Sequence, residues 1–298
     1  MPWYLLIPFV SAAIYSLSTI FLKRGMHEGA TPLYSFHITN LIVGVCFLPI
    51  ILLEKQPIAW HLLHQPILAG VAFFAGSWFT FIAIHRGDVS LVTPLMGSKV
   101  IFVALLAVLL SAQSPSTTLI FASLLSAIGI AVMGAKDFAH SRHAALTISL
   151  ALTSAAVFAL CDVLVGKWAP GFGPMAFLTL STVGLAAVSL TALTAMAIKN
   201  RNWQPPAPSR KWVIYSAFMV GGQAIGMGYI LSTNADTTGI NVVYGSRGLW
   251  AIVLIAAIGP MLGNRERQLA KNVFLYRLVG TLLLTSAIVL AVMAGKQG

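Results

Sequence analysis

The chain has 298 residues, of which 58% are hydrophobic and only 8% are charged. A water-soluble domain carries roughly a quarter charged residues, so this composition excludes a cytosolic enzyme, a disordered chain and a disulfide-rich scaffold. The apolar runs, such as residues 2–22 and 66–84, are continuous, whereas the strands of an outer-membrane barrel alternate apolar and polar residues. We therefore predict an all-α membrane protein that crosses the bilayer several times.

Apolar length predicts ten transmembrane helices, because a helix needs about 20 apolar residues to cross a bilayer. The predicted spans are residues 3–22, 31–53, 66–85, 90–112, 117–135, 144–166, 174–198, 212–232, 238–262 and 273–295. Turn-forming residues separate them, including Pro170-Gly171 between spans 6 and 7. The longest connection, residues 199–211, leaves no room for a soluble domain.

The net charge of +11 has an uneven distribution between the two sides of the predicted membrane. Lysine and arginine are concentrated in the connections 1–2, 3–4, 5–6, 7–8 and 9–10, and the opposite side holds only Lys55, Lys167 and Lys296. The positive-inside rule then predicts that both termini lie outside a bacterial inner membrane. Because the basic residues follow the loops, they indicate membrane topology and not nucleic-acid binding.

The two halves of the chain resemble each other. A shift of 148 residues places the tripeptide Gly97-Ser98-Lys99 on Gly245-Ser246-Arg247, and Asp88 on Asp236. Each half holds five predicted spans, so the second half must be inverted relative to the first. We predict two repeats, residues 1–138 and 144–298, around a central cavity. Secondary transporters are often built this way, with the site near the midplane between the repeats.

Lys99 and Arg247 lie near the middles of spans 4 and 9. A charge at the centre of a membrane helix costs roughly 2.5–3.5 kcal/mol, and such residues usually line a substrate path. If both face one cavity, they form a paired cationic site for a carboxylate or phosphate group. The alternative is that each cation is neutralised by an internal carboxylate or by helix-end carbonyls and serves packing alone.

Four further candidates accompany this pair. Tyr244, Ser98 and Ser246 are expected to shape the cavity, although helix packing explains them equally well. Asp162 is well inside a span and is either a charge partner of a basic residue or a proton-coupling group.

The histidine, aspartate and cysteine positions give weaker evidence for a functional site. His37 is a relay candidate, although a lone helical histidine is more often a core residue. Asp88 and Asp236 are expected to cap helix N-termini. The sequence contains no nucleotide-binding loop, His-Glu-x-x-His pair or nucleophile elbow, so we expect neither an enzyme nor a bound cofactor. No metal site is expected either, and Cys46 and Cys161 lie inside spans, so we predict no disulfide framework.

Residues 83–95, Ala-Ile-His-Arg-Gly-Asp-Val-Ser-Leu-Val-Thr-Pro-Leu, precede an apolar helix in a ten-span, five-plus-five chain. In these features the whole chain resembles the EamA branch of the drug/metabolite transporter superfamily. Members commonly have a glutamate after span 4, where this chain has Gln113; Glu266 after span 9 is the candidate second-half equivalent. The resemblance implies secondary transport of small metabolites, often efflux of amino acids or related compounds, through a central cavity with alternating access.

Lys99 and Arg247 are also similar to the basic residues that sugar-phosphate/phosphate translocators of this superfamily use to hold anions. The expected function is therefore secondary transport of a small organic metabolite carrying an anionic group. The expected partners are that substrate and the lipid bilayer; a coupling proton, a counter-substrate and a homodimer are left open. The alternatives are an exporter of neutral, zwitterionic or cationic compounds and, from another class, a membrane-embedded enzyme or lipid-handling scaffold.

Overall fold

The computed structural model describes residues 3–86, 92, 95–111, 116–138, 144–199, 204–258 and 271–294. Within these ranges the regular structure is α-helix with short 3₁₀ turns, and none of the described residues forms a strand. Asp88, Gln113 and Glu266 lie outside the described residues, so the expectations for them are not tested.

The described α-helices are numbered here in chain order. They are α1 Leu6–His27, α2 Pro32–Phe47, α3 His64–Arg86, α4 Lys99–Ser111, α5 Thr117–Phe138, α6 Ala144–Phe172, α7 Pro174–Lys199, α8 Ala207–Thr233, α9 Thr237–Tyr244, α10 Arg247–Ile258 and α11 Lys271–Ala294. The 3₁₀ segment Leu48–Leu53 extends α2, and Trp3–Leu5 precedes α1.

Six of the helices in the described part of the chain are long and apolar enough to cross a membrane. Three shorter apolar helices accompany them, Leu95–Leu110, Thr117–Val132 and Leu282–Ala291. Large apolar side chains also cover the outside of the protein, among them Leu52, Phe121 and Ile198. An apolar exterior of this kind suits lipid as the surrounding solvent, and the prediction of a helical membrane protein is confirmed.

The most extensive helix pairs join the two halves of the chain. Helix α1 packs on α8, α3 on α6, α2 on α7, and α5 on α11. Small residues allow this close approach: a side chain on Gly44 would overlap Ala186, and one on Gly70 would overlap the Ser181 carbonyl. Small residues at helix crossings are typical of membrane bundles, where backbone proximity replaces the hydrophobic effect as the source of association.

Helix α6 is longer than predicted. The predicted break at Pro170-Gly171 is wrong, because α6 continues through Pro170 to Phe172 and the chain turns at Gly173 instead. Gly173 has φ +107°, a left-handed conformation that favours glycine. This turn places the first N–H groups of α7 against Glu54, whose Oε2 accepts from Met175 N at 2.8 Å and Ala176 N at 3.0 Å. Glu54 therefore caps a helix of the other half.

Spans 4 and 9 are both interrupted at the Gly-Ser pair. Span 9 was predicted as one continuous helix, but it consists of α9 and α10 separated by a turn at Gly245-Ser246. In span 4 the turn lies at Ser98, immediately before α4. At each turn the backbone tightens to a 3₁₀ hydrogen bond of 3.0 Å, Ser98 N to Leu95 O and Ser246 N to Val243 O. Lys99 and Arg247 are consequently the first residues of α4 and α10.

Candidate functional site

A cavity of about 140 Å³ lies between the two halves. Its wall comes from α1–α4 on one side and α6–α10 on the other. Four of the predicted site residues line it together: Lys99, Asp162, Tyr244 and Arg247. The two cations thus face one space although they are 148 positions apart in sequence. Apolar side chains such as Phe73 and Val220 make up much of the remaining wall.

Lys99 forms an ion pair with Asp162 inside the protein. Its Nζ lies 2.5 Å from Asp162 Oδ2, and the two residues are 6% and 8% exposed. The lysine belongs to α4 and the aspartate to α6, so the pair crosses from one half to the other. The same Nζ lies 5.2 Å from the centre of the Tyr244 ring, within the range of a cation–π contact.

Arg247 is held by polar backbone and aromatic faces. It is 3% exposed, and its guanidinium donates a hydrogen bond to the Met96 carbonyl. Its Cζ lies 5.4 Å from the centre of the Tyr15 ring and 5.1 Å from that of Tyr244. The Arg247 carbonyl accepts a hydrogen bond of 2.8 Å from Ser16 Oγ, which fixes the start of α10 to α1.

Arg247, unlike Lys99, has no carboxylate partner among the described residues. Within the described part of the chain, Lys99–Asp162 and Arg24–Glu28 are the ion pairs, and neither includes Arg247. Its Nε is buried and has no hydrogen-bond partner among the described residues. Since Lys99 and Arg247 also begin α4 and α10, the positive ends of two helix dipoles lie at the cavity wall. The described wall therefore carries an excess of positive charge.

The structure places the other predicted site residues outside the cavity lining. Ser98 Oγ donates to the carbonyl of Leu95 at 2.7 Å, and Ser246 is fully buried at the interruption of span 9. The ring of His37 has its Nδ1 3.3 Å from Ser189 Oγ and packs edge-on against Phe36, as a core histidine would.

Asp236 caps α9 as predicted. Its Oδ1 accepts from Gly239 N at 2.8 Å, and Tyr4 donates its hydroxyl to Oδ2 at 3.3 Å. Asp236 is outside the spans, and burial raises the pKa of its carboxyl, although the bonds from Gly239 and Tyr4 oppose that rise. Among the described residues no group of three or more His, Cys, Asp or Glu side chains is placed to hold a metal ion.

Two residues of the site were not identified from the sequence. Tyr15 supplies one of the two rings against Arg247, and Gln223 Oε1 accepts a 2.9 Å hydrogen bond from the Tyr244 hydroxyl. Gln223 carried a usable signal, because an amide inside the apolar span 212–232 needs a polar partner. Tyr15 carried none, since its place beside Arg247 depends on how α1 packs against α10.

Comparisons with known proteins agree with this architecture. A model of the EamA-like transporter family matches residues 1–135. One solved crystal structure superposes with a TM-score of 0.71 at 16% sequence identity, covering 97% of this chain and 98% of the other, which shows a shared fold. No curated protein sequence matches the chain. Over residues 1–135 this multi-pass membrane protein is therefore similar to the EamA-like transporter family, which is part of the drug/metabolite transporter superfamily.

Proposed function

We propose that the protein is a secondary transporter of a small organic metabolite that carries one anionic group. The observation that carries this proposal is that Lys99 and Arg247 line one buried cavity while Asp162 forms an ion pair with Lys99. Two cations and one carboxylate leave a single positive charge in the described wall. A monoanion bound at Arg247 neutralises that charge. Binding of an anion therefore offsets the free-energy cost of burying the guanidinium.

Arginine at this position suits a carboxylate or phosphate ligand. Its planar guanidinium offers several N–H donors in one plane and binds such groups bidentately. The rings of Tyr15 and Tyr244 hold the guanidinium in position before a ligand arrives, which lowers the cost of ordering it on binding. Transporters with interrupted helices direct half-helix N-termini at anionic groups, and the position of Lys99 and Arg247 at the starts of α4 and α10 supports the same role here.

The proposed architecture is ten transmembrane helices in two inverted repeats, residues 1–138 and 144–298. Its support is the pairing of the helices: exchanging the repeats converts the α1–α8 contact into the α6–α3 contact, and leaves α2–α7 and α5–α11 unchanged. The equivalent turns before Lys99 and Arg247 follow the same relation. Alternating access is then a movement of one repeat against the other around the cavity. The proposed orientation has both termini outside a bacterial inner membrane.

Asp162 acts in this proposal as the charge partner of Lys99, and a proton exchanged on its carboxylate is a candidate coupling step. His37, Ser98 and Ser246 contribute through helix packing. A counter-substrate and a homodimer belong to the same proposal as open partners, and the chain itself needs no cofactor and performs no catalysis.

A second candidate is transport of zwitterions such as amino acids. Asp162 lines the cavity beside Lys99 and offers a carboxylate to a ligand ammonium group while Arg247 takes the ligand carboxylate. A zwitterion needs the Asp162 carboxylate for its ammonium group, whereas a monoanion does not contact it. Asp162→Asn should weaken zwitterion binding and spare monoanion binding.

The test is flux in proteoliposomes that contain the purified protein and a mixture of anions, amino acids and cations, read by mass spectrometry. We expect wild type to move a monoanion, and Arg247→Ala to lose that flux at an unchanged amount of folded protein. Arg210→Ala is the matched control, because Arg210 is half-buried, does not line the cavity and donates a hydrogen bond to Gln204. Anion flux that Arg247→Ala leaves intact would overturn the proposal.

A further inference from the structure

The cavity has a second polar zone at some distance from its charged residues. Its members are hydroxyl and amide side chains on three helices: Ser18 and Thr19 on α1, Thr39 and Asn40 on α2, and Ser216 on α8. All five are buried and all five line the same cavity as Arg247. A buried polar group in an apolar setting is costly unless it finds a hydrogen-bond partner, so this concentration needs an explanation.

Helix register places Thr39, Asn40 and Ser216 at one level of the bundle, with Ser18 and Thr19 within about one turn of it. Helix α1 runs antiparallel to α8, with Gly25 against Val213 and Ser11 against Gly226, so Thr19 lies near Ser216. Helix α2 packs against α8 with Cys46 and Val43 at Gly221. Since α2 runs parallel to α8, Thr39 also reaches the level of Ser216.

The charged residues lie at a different level. Tyr244 bonds to Gln223 on α8, which is seven residues beyond Ser216. Seven residues of helix correspond to about 10 Å along the axis. Apolar residues of the wall, including Val220, lie between the two levels. Thr39, Asn40 and Ser216 are therefore displaced by about two helical turns from the level of Gln223 and Tyr244, towards residues 28–31 and 204–206. Ser18 and Thr19 lie between, about one turn beyond Tyr15, whose ring contacts Arg247.

The hydrogen-bond state of the zone leaves capacity for a ligand. Thr39 is 5% exposed, and its Oγ1 has no partner among the described residues. Asn40 donates its Nδ2 to the Phe36 carbonyl at 3.0 Å, so its amide oxygen can still accept. Ser18 and Thr19 donate to carbonyls of their own helix and keep acceptor lone pairs.

We propose that Thr39, Asn40 and Ser216 form a second subsite that binds an uncharged hydrogen-bonding group, a hydroxyl or primary amide, at the far end of the transported anion. The group is uncharged because none of the five residues of the zone carries a charge. The ligand class is a monoanion with a short apolar chain and a polar terminus about 8–10 Å from the anionic group, the helical distance between the two levels. This inference rests on the proposed function, since Arg247 anchors the anion.

The experiment compares three probes on the purified full-length protein: hexanoate, 6-hydroxyhexanoate and 2-hydroxyhexanoate, with dissociation constants measured by ligand-induced thermal stabilisation. Wild type should bind 6-hydroxyhexanoate about five- to tenfold tighter than hexanoate, the effect of one added hydrogen bond to an unpartnered buried group. Moving the hydroxyl to carbon 2 should remove the gain, because that group stays at the level of Arg247.

Thr39→Val and Ser216→Ala should each remove the preference, so that 6-hydroxyhexanoate and hexanoate bind with about equal affinity to the variant. Thr147→Val is the matched control, since Thr147 is also buried with an unpartnered hydroxyl but does not line the cavity. Equal binding of hexanoate and 6-hydroxyhexanoate by wild type, or a preference that survives in both variants, would overturn the subsite. A protein that binds none of the three acids would count against the proposed function itself.

Discussion

Asp162 Oδ2 accepts a hydrogen bond from Lys99 Nζ at 2.5 Å, and this ion pair joins α6 of one half to α4 of the other. The aspartate lies one residue after Cys161, which bonds the Ala69 carbonyl on α3. The pair therefore belongs to the contact surface between the halves as well as to the cavity. Its disruption should therefore affect stability as well as the charge of the cavity wall.

Asp162→Asn should destabilise the protein by about 3–5 kcal/mol, because it leaves a buried lysine without its counter-charge and close to Arg247. The measurement is thermal or denaturant unfolding in detergent at neutral pH. The double variant Lys99→Met/Asp162→Leu is the control, since replacing a whole buried pair by apolar residues is often neutral. Losses in the two single variants that simply add in the double variant would show that the pair contributes no coupling.

Tyr15→Leu should weaken binding of a monoanion about fivefold to thirtyfold, since a desolvated cation–π contact contributes roughly 1–2 kcal/mol. Without the ring the guanidinium of Arg247 is less well held before the ligand arrives. Tyr15→Phe keeps the ring and should bind like wild type. Equal affinity in the leucine and phenylalanine variants, measured by the same thermal assay, would show that the ring does not position Arg247.

Gly44→Ala should lower stability by about 1–3 kcal/mol, because its Cβ would overlap Ala186 and force α2 away from α7. Gly184→Ala, on the same helix as Ala186, has no atom within 4 Å of the added Cβ. That control should raise stability slightly, since alanine has the higher helix propensity. The difference between their melting temperatures measures the effect of close contact at the α2–α7 crossing. A Gly44→Ala variant as stable as wild type would show that α2 and α7 can move apart freely.

Glu54 should make stability depend on acid pH. Partial burial raises the pKa of its carboxyl, but bonds from the backbone N–H groups of Ala176, Gln56, Lys55 and Met175 outweigh it, and the pKa lies below its ordinary value of 4.5. A carboxyl with a lowered pKa stabilises the fold above its ordinary pKa, and that stability is lost as pH falls through the folded value.

Glu54→Gln should therefore have a lower melting temperature than wild type at neutral pH, and the two curves should converge as the pH falls below 4.5. Glu28→Gln is the comparison, because Glu28 pairs with Arg24 on its own helix rather than with the other half. A gap between wild type and Glu54→Gln that stays constant down to acid pH would contradict the capping role of the carboxylate.

The sequence predicted the helical membrane fold because apolar length is a strong signal, and it identified Lys99, Arg247 and Asp162 because charges inside spans are rare. It did not predict which cation Asp162 contacts, since that depends on the crossing of α4 and α6. The interruption of span 9 was also missed. No proline lies within ten residues of Gly245-Ser246, and the 3₁₀ turn forms where α9 and α10 pack against α1.

The charge of Arg247, which no carboxylate of the described residues offsets, has a kinetic consequence. If the loaded binding centre is electroneutral and the empty one carries a positive charge, reorientation of the empty carrier must take that charge through a medium of low dielectric constant. The return step without cargo should then be slow. We expect one-for-one exchange of anions across the bilayer to outpace net movement, so that labelled anion leaves vesicles faster when unlabelled anion is present on the opposite side.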